Sequence, residues 1–490
     1  MTRRPHLVII NPDSWRGDHC GFAGHPAPVT PVLDAWVGSE AVGFTRAFCQ
    51  NPVCTPSRCS FMTGWYPHVR GHRTMYHMLR PDEPCLLRDL KEAGWHVWWG
   101  GKNDLVPGQN PVDPYCSVRH RWEPEVRWVN NLPEVAGWRG APDGDLFYSF
   151  LYGRVPLAAG EAEFPGNDRA TVRAACEQIR TRPADRPLCL YLALSHPHPP
   201  YAVADPWYSL VARGQVPPRV PTPAPGQQPL VHDRLRALQR LGGWDEARWN
   251  ELRAIYLGMC AETDHWIGAI EQALRAAGIW DDTAVLVFSD HGDFTGDHGL
   301  VEKTQNTFND CLARVPLVVK PPAGTALRAG VNDALVELVD IPATVYELAG
   351  IAPRHRHFGR SLLPLVAGGT GGREAVFCEG GRLAGEREAM ELESLSSDDT
   401  AGLYWPRMTV QREGDAAHGK AVMVRTARHK YVRRLYERDE LYDLAADPDE
   451  RVNRIDDPAL AGERERLRAL LLDHLLATAD VVPWGADGRN

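Results

Sequence analysis

Short apolar runs, rich in β-branched and aromatic side chains, recur along this chain, and each stops abruptly against polar residues. His6-Leu7-Val8-Ile9-Ile10 leads into Asp13, and His96-Val97-Trp98-Trp99 leads through two glycines into Lys102 and Asp104. Leu188 to Leu194 leads into His196-Pro197-His198, and Ala284 to Phe288 into Asp290-His291. Runs that are apolar at consecutive positions read as strands covered on both faces, the mark of a parallel sheet between helical layers. Helical patterns at Leu86 to Ala93 and at Asp245 to Ala277 lie between them. The alternation specifies an α/β fold with a large doubly wound, mostly parallel sheet flanked by helices. In such sheets ligands sit beyond the carboxyl ends of the strands. The polar clusters all fall at that end, which solubility alone does not require.

The chain's 490 residues suffice for one large domain and a smaller one. Gly368 to Gly372 resembles a linker, which divides an α/β domain at 1–370 from a C-terminal α+β subdomain at 371–490. In the latter, Lys430-Tyr431-Val432 and Glu440-Leu441-Tyr442 read as short strands of a separate antiparallel sheet. Leu467, Leu470, Leu471 and Leu475 make the apolar stripe of one helix packed on it. The proline-dense stretch from Pro217 to Pro229 reads as a surface loop.

A net charge of −9 argues against a nucleic-acid binder, which needs basic patches to neutralise phosphates. The apolar run after Arg3-Arg4 is too short for a signal-peptide core, and no stretch approaches a membrane span. Eleven cysteines without a Cys-x-x-Cys pair suggest neither a disulfide framework nor a zinc knuckle. The expectation is a cytoplasmic protein with reduced thiols and no membrane or nucleic-acid partner; self-association into a homo-oligomer is left open.

Cys54-Thr55-Pro56-Ser57-Arg58, continued by Thr63-Gly64, resembles the maturation signature of the type I sulfatases of the alkaline phosphatase superfamily. The resemblance implies that a formylglycine-generating enzyme oxidises Cys54 to formylglycine, an aldehyde that hydrates to a geminal diol. Ser289-Asp290-His291-Gly292-Asp293 is similar to the metal-binding segment of the same family. Asp13, Asp290 and His291, with the side chain at position 54, are the candidate ligands of one divalent cation, Ca2+ or Mn2+, with Mg2+ as a third option. Many family members have a second aspartate where Ser14 stands and an asparagine in place of His291, so manganese gains weight over calcium. Scaffold segments similar to the family recur at Pro31-Val32-Leu33-Asp34, Arg314-Val315-Pro316-Leu317 and Leu441-Tyr442-Asp443-Leu444.

The second constellation is cationic: Arg58, Lys102, His198 and Lys303. Sulfate ester cleavage spreads negative charge over the sulfate and the leaving oxygen, and fixed cations stabilise that transition state. By resemblance, Arg58 orients the hydrate, Lys102 and Lys303 contact sulfate oxygens, and His198 hydrogen-bonds or protonates the leaving oxygen. One hydroxyl of the hydrate attacks sulfur and expels an alcohol; the second then loses its proton and inorganic sulfate leaves. A plain serine or cysteine lacks that second hydroxyl and would remain sulfated. One departure stands out: the family commonly places a histidine two residues after the lysine, where this chain has Asp104. Asp104 could act as a base or orient an imidazole, and His68, His72 or His77 could supply the lost function.

The activity implied is hydrolysis of a small anionic sulfate monoester. Hydrolysis of phosphonate monoesters or phosphodiesters at the same site is the nearest alternative, although the phosphonate-hydrolysing relatives tend to replace the lysine matching Lys102. A metal-binding relative that has lost catalysis is the second. An unmodified cysteine phosphatase fits poorly, because that class places its arginine six residues after the cysteine. Trp15, Trp65, Trp98 and Trp99 lie near strand ends and could stack on an aryl or sugar group, with core packing the commoner use of such residues.

Overall fold

The structure is a computed structural model that describes residues 4–122, 125–392, 394, 398–485 and 488. In chain order its first strands are β1 (His6–Asn11), β2 (Val42–Phe48), β3 (His96–Gly101), β4 (Val118–Arg119), β5 (Leu151–Arg154) and β6 (Leu188–Ala193). β7 (Tyr201–Val203), β8 (Thr283–Phe288), β9 (Arg314–Lys320), β10 (Gly330–Asn332) and β11 (Val336–Glu337) follow. β5 and β7 form a ribbon of their own, and the rest build a nine-stranded sheet in the order β10-β2-β9-β8-β1-β6-β3-β4, with β11 paired to β2. All pairings in it are parallel except those of β9, which runs against β2 and β8.

β1, β6 and β8 are buried at every position. Because side chains alternate across a strand, each strand feeds two cores. Leu7, Ile9, Tyr191 and Leu286 enter one core, while Val8, Ile10, Leu190 and Val287 enter the other. The second core is closed by the long helix Glu246–Ala276, whose start is capped by the Asp245 side chain accepting from the Arg248 N–H. Trp249, Leu252, Ile255, Tyr256 and Met259 of that helix pack against the sheet. Burial of such side chains, each contributing about 1.5–3 kcal/mol, is the dominant stabilising term.

The C-terminal part forms a second, antiparallel sheet of β12 (Ala375–Gly380), β13 (Ala421–Thr426), β14 (His429–Arg434) and β15 (Glu440–Asp443). The helix Ala461–Thr478 packs Leu467 and Leu471 on Val424, Tyr431 and Leu441, as the leucine stripe predicts. Residues 217–229 carry no regular element, in keeping with a loop. Among the described residues no helix is long and apolar enough to cross a membrane.

For function, the decisive feature is that β8, β1, β6 and β3 are consecutive neighbours in the sheet. The polar segments that follow them, carrying Asp290, Asp13, His198 and Lys102, therefore leave the sheet side by side at one rim.

Candidate active site

Cys54 opens the helix Cys54–Thr63, in which every residue is buried, Arg58 and Ser57 included. Ser57 Oγ donates to the Asp290 carbonyl at 2.6 Å, which ties this helix to the segment after β8. The chain turns out of the helix at Gly64, whose φ of 73° favours a residue without Cβ. A helix N-terminus usually eases ionisation of a thiol. Here burial, with the Asp13 carboxylate beside it, pushes the Cys54 thiol well up in spite of Lys303 and Lys102.

Asp13, Cys54, Asp290 and His291 each aim one donor atom into a common space, all within 4.8 Å of one another and all buried. The His291 Nδ1–H donates to the Gly292 carbonyl at 2.8 Å, so Nε2 carries a lone pair. That nitrogen faces Cys54 Sγ at 3.2 Å, Asp13 Oδ1 at 3.5 Å and Asp290 Oδ1 at 3.9 Å. Burial and then Lys303 keep the imidazole from charging, although Asp290 draws the other way. A lone pair meeting two carboxylates, both fully buried, is an arrangement that a cation satisfies. The donor set therefore fits a divalent metal. Ser14, where many relatives have an aspartate, adopts φ 65° and donates its hydroxyl to Asp13 Oδ1 at 3.0 Å.

Arg58 spans the two carboxylates, with Nη2 at 3.0 Å from Asp13 Oδ2 and 2.8 Å from Asp290 Oδ2. Lys102 donates to Asp13 Oδ2 at 2.6 Å and stands 3.0 Å from Asp104 Oδ2. Its placement depends on Gly101: at φ 87°, a Cβ there would sit 1.9 Å from the Ala193 carbonyl oxygen, and the same carbonyl then accepts the Lys102 N–H at 2.8 Å. The chain so crosses the end of β6 and delivers the ammonium to the rim. Burial alone would raise the Asp13 carboxyl; Lys102, foremost among its cationic neighbours, reverses this and holds it well below the usual carboxylate range.

Lys303 donates to His198 Nε2 at 2.8 Å and pairs with Glu302 Oε1 at 2.7 Å. The His198 Nδ1–H donates to the Pro199 carbonyl at 2.5 Å. Burial, followed by Lys303, pushes His198 well below its usual range. His198 is accordingly neutral, and its Nε2 accepts a hydrogen bond from the Lys303 ammonium.

Asp13, Cys54, Arg58, Lys102, Asp104, His198, Asp290, His291 and Lys303 lie together at this rim. Three proposed substitutes for the missing family histidine do not. His68 is bound to Glu379 at 2.6 Å and to Thr478, His72 to the His77 carbonyl at 2.8 Å, and the His77 ring to Thr74 Oγ1 at 3.0 Å. Trp15, Trp65, Trp98 and Trp99 are buried core residues. Sequence reasoning also missed the outer wall. A pocket of about 370 Å3 over Cys54, Lys102, His198 and Lys303 is closed by Met75, Tyr76, Glu391, Leu403, Tyr404 and Arg407. The last four come from a segment with no periodicity or motif, and only the Trp405-Pro406 start of a helix signals any order there.

A family model described as Sulfatase matches residues 5–351. The chain belongs to the sulfatase family, whose members are hydrolases of sulfuric esters. Arylsulfatase K of Danio rerio is 28% identical over 380 residues, covering 74% of this chain and 68% of that protein. A multifunctional alkaline phosphatase superfamily protein of Trinickia caryophylli is 27% identical, covering 94% of this chain and 93% of its own length. Among solved structures, the phosphonate monoester hydrolase of Agrobacterium radiobacter superposes with a TM-score of 0.74 at 23% identity, covering 97% of this chain and 96% of that one.

Proposed function

We propose that this chain cleaves sulfate monoesters with a formylglycine formed from Cys54 and one divalent cation held by Asp13, Asp290 and His291. The convergence of these three donors on the side chain at position 54 is the observation that carries the reading. The formylglycine hydrate and cation supply, respectively, two hydroxyls on one carbon for attack and for release of sulfate, and Lewis acidity beside them. Mixed carboxylate and imidazole donors suit Mn2+ better than Ca2+.

The protein's own groups do the rest. Arg58 holds both carboxylates in place. Lys102 and Lys303 present fixed positive charge where sulfate oxygens gain charge. Asp104, 3.0 Å from Lys102, stands where the family histidine is usual and is the carboxylate placed to take a proton there. The Lys303–His198 pair faces the leaving oxygen: the ammonium donates, and the neutral imidazole nitrogen holds it in position. Eleven free cysteines fit a reducing compartment, which we take to be the cytoplasm.

Phosphonate monoesters are the second reading, favoured by the structural likeness to a phosphonate monoester hydrolase. Phosphonate and sulfate monoesters each carry one negative charge, so the Lys102–Asp104 pair does not separate them by charge; the presence of Lys102, which phosphonate-hydrolysing relatives tend to replace, favours sulfate. The test is production with a formylglycine-generating enzyme, peptide mass across Cys54, and side-by-side turnover of aryl sulfate and aryl phosphonate. We expect an aldehyde-bearing peptide and faster sulfate turnover that chelators abolish and Mn2+ restores. A matured protein that turns over neither ester, or prefers phosphonate, would refute the proposal.

A further inference from the structure

Arg407 sits in the first turn of the helix Trp405–Glu413 and lines the same pocket as Cys54, His198 and Lys303. It lies beyond residue 351, where the match to the family model ends. Three observations set it apart from an ordinary structural arginine. Its carboxylate partner is shared: Glu302 is 2.7 Å from Lys303, while Arg407 Nη1 reaches the two Glu302 oxygens only at 3.3 and 3.4 Å. Its Nε is buried and meets no acceptor among the described residues. Its guanidinium is also pre-positioned, stacked 4.8 Å from the centre of the Tyr404 ring, which lines the pocket too.

Two more acids line this wall, Glu391 and Asp399, and Asp399 accepts from the Ala401 N–H at 2.9 Å. Glu391 accepts from the Met75 N–H at 3.3 and 3.4 Å and from Gln305, and burial pushes its carboxyl up. The wall is nonetheless firmly built. Buried Gln411, on the same helix as Arg407, accepts from the Glu391 N–H at 3.0 Å and from Ser394 Oγ at 2.8 Å. A guanidinium with donors to spare is suited to an oxyanion that offers two oxygens, a carboxylate or a sulfate, which it can grip with two parallel hydrogen bonds.

Resting on the sulfatase reading above, we propose that Arg407 is a specificity residue for a second oxyanion on the substrate. The preferred substrate is then a sulfate monoester whose leaving group itself carries a carboxylate or a further sulfate.

The experiment compares phenyl sulfate, 3-carboxyphenyl sulfate and 1,3-phenylene disulfate on matured wild type, Arg407→Gln and Arg407→Lys. The readouts are the ratios of kcat/KM between charged and plain substrates, and the ratios of Kd measured by calorimetry on the Cys54→Ala variant with and without Arg407→Gln. We expect wild type to prefer at least one charged substrate by about 10- to 100-fold, mostly through KM. The ratio should fall towards one in Arg407→Gln and be partly kept in Arg407→Lys, and which substrate is preferred identifies the oxyanion. Absence of a preference in wild type overturns the proposal. So does an Arg407→Gln effect equal on all three substrates, since that would place Arg407 on the transferred sulfate or in the scaffold. Failure of matured protein to turn over phenyl sulfate would instead count against the sulfatase reading, and the Kd ratios would still decide the role of Arg407.

Discussion

The proton economy of the rim is set by single atoms. His291 and His198 are both buried, and in each the Nδ1–H is fixed on a backbone carbonyl, leaving Nε2 as an electron-pair donor. One such nitrogen faces the carboxylates of the cation site, the other faces an ammonium. Because it holds the Lys303 ammonium towards the leaving oxygen, His198 should matter in proportion to how much its substrate needs a proton on departure. In His198→Ala, turnover of phenyl or alkyl sulfates is expected to fall by about 10²- to 10⁴-fold, and that of 4-nitrophenyl sulfate far less. Equal losses across leaving groups would contradict that role. Residues of this kind were legible because each follows an apolar strand run: Asp13, Lys102, His198 and Asp290 all do. Glu302 and Arg407 were not, since a charged residue in a loop looks the same in sequence whether it is solvated or buried in a pocket wall.

At the scale of elements, the long runs were legible and the short ones were not. β4, β10 and β11 span two or three residues, too few to show a period. The reversed direction of β9 left no trace either, because a buried strand is apolar throughout whichever way it runs. Helix ends also draw on distant partners. The helix Pro31–Ser39 has no side-chain cap of its own, and Asp264 of the long helix accepts the Val32 and Leu33 N–H groups at 2.9 and 3.1 Å. Burial nevertheless pushes the Asp264 carboxyl up to about 7 against those bonds. The folded protein thus binds this proton more tightly than the unfolded chain, so its contribution to stability is full below pH 3.8 and is lost as pH rises through about 7. Relative to Asp264→Asn, wild type is expected to lose unfolding free energy in urea as pH goes from 4 to 7. A difference that stays flat over that range would show that Asp264 does not titrate there. Asp264→Ala should cost about 0.5–2 kcal/mol as a lost cap.

On the scale of the whole molecule, the second sheet is part of the site's support. Lys430 of β14 donates to the Phe308 carbonyl and to Asp310 Oδ1, both at 2.7 Å, and pairs with Glu450. Arg434 donates to the Asn306 carbonyl at 2.9 Å. Both therefore hold the stretch that follows Lys303. Lys430→Met removes one member of a buried ionic cluster and is expected to cost about 3–5 kcal/mol. Urea unfolding checks the cost, and a rise in KM for aryl sulfate beyond any loss of folded protein checks the link to Lys303; unaltered kinetics in a destabilised variant would break that link. The strands of this sheet and its leucine-striped helix could be read from sequence, but contacts between residues about 310 and 430 carry no local signal. A last consequence follows from the 2% exposure of Cys54. A small ester can enter the pocket above the sulfur, but Cys54 lies in a wholly buried helix that cannot be laid out in the site of a modifying enzyme. On the proposed reading the aldehyde is installed while this stretch is still an open chain, and a molecule that closes first keeps its thiol for as long as it stays folded.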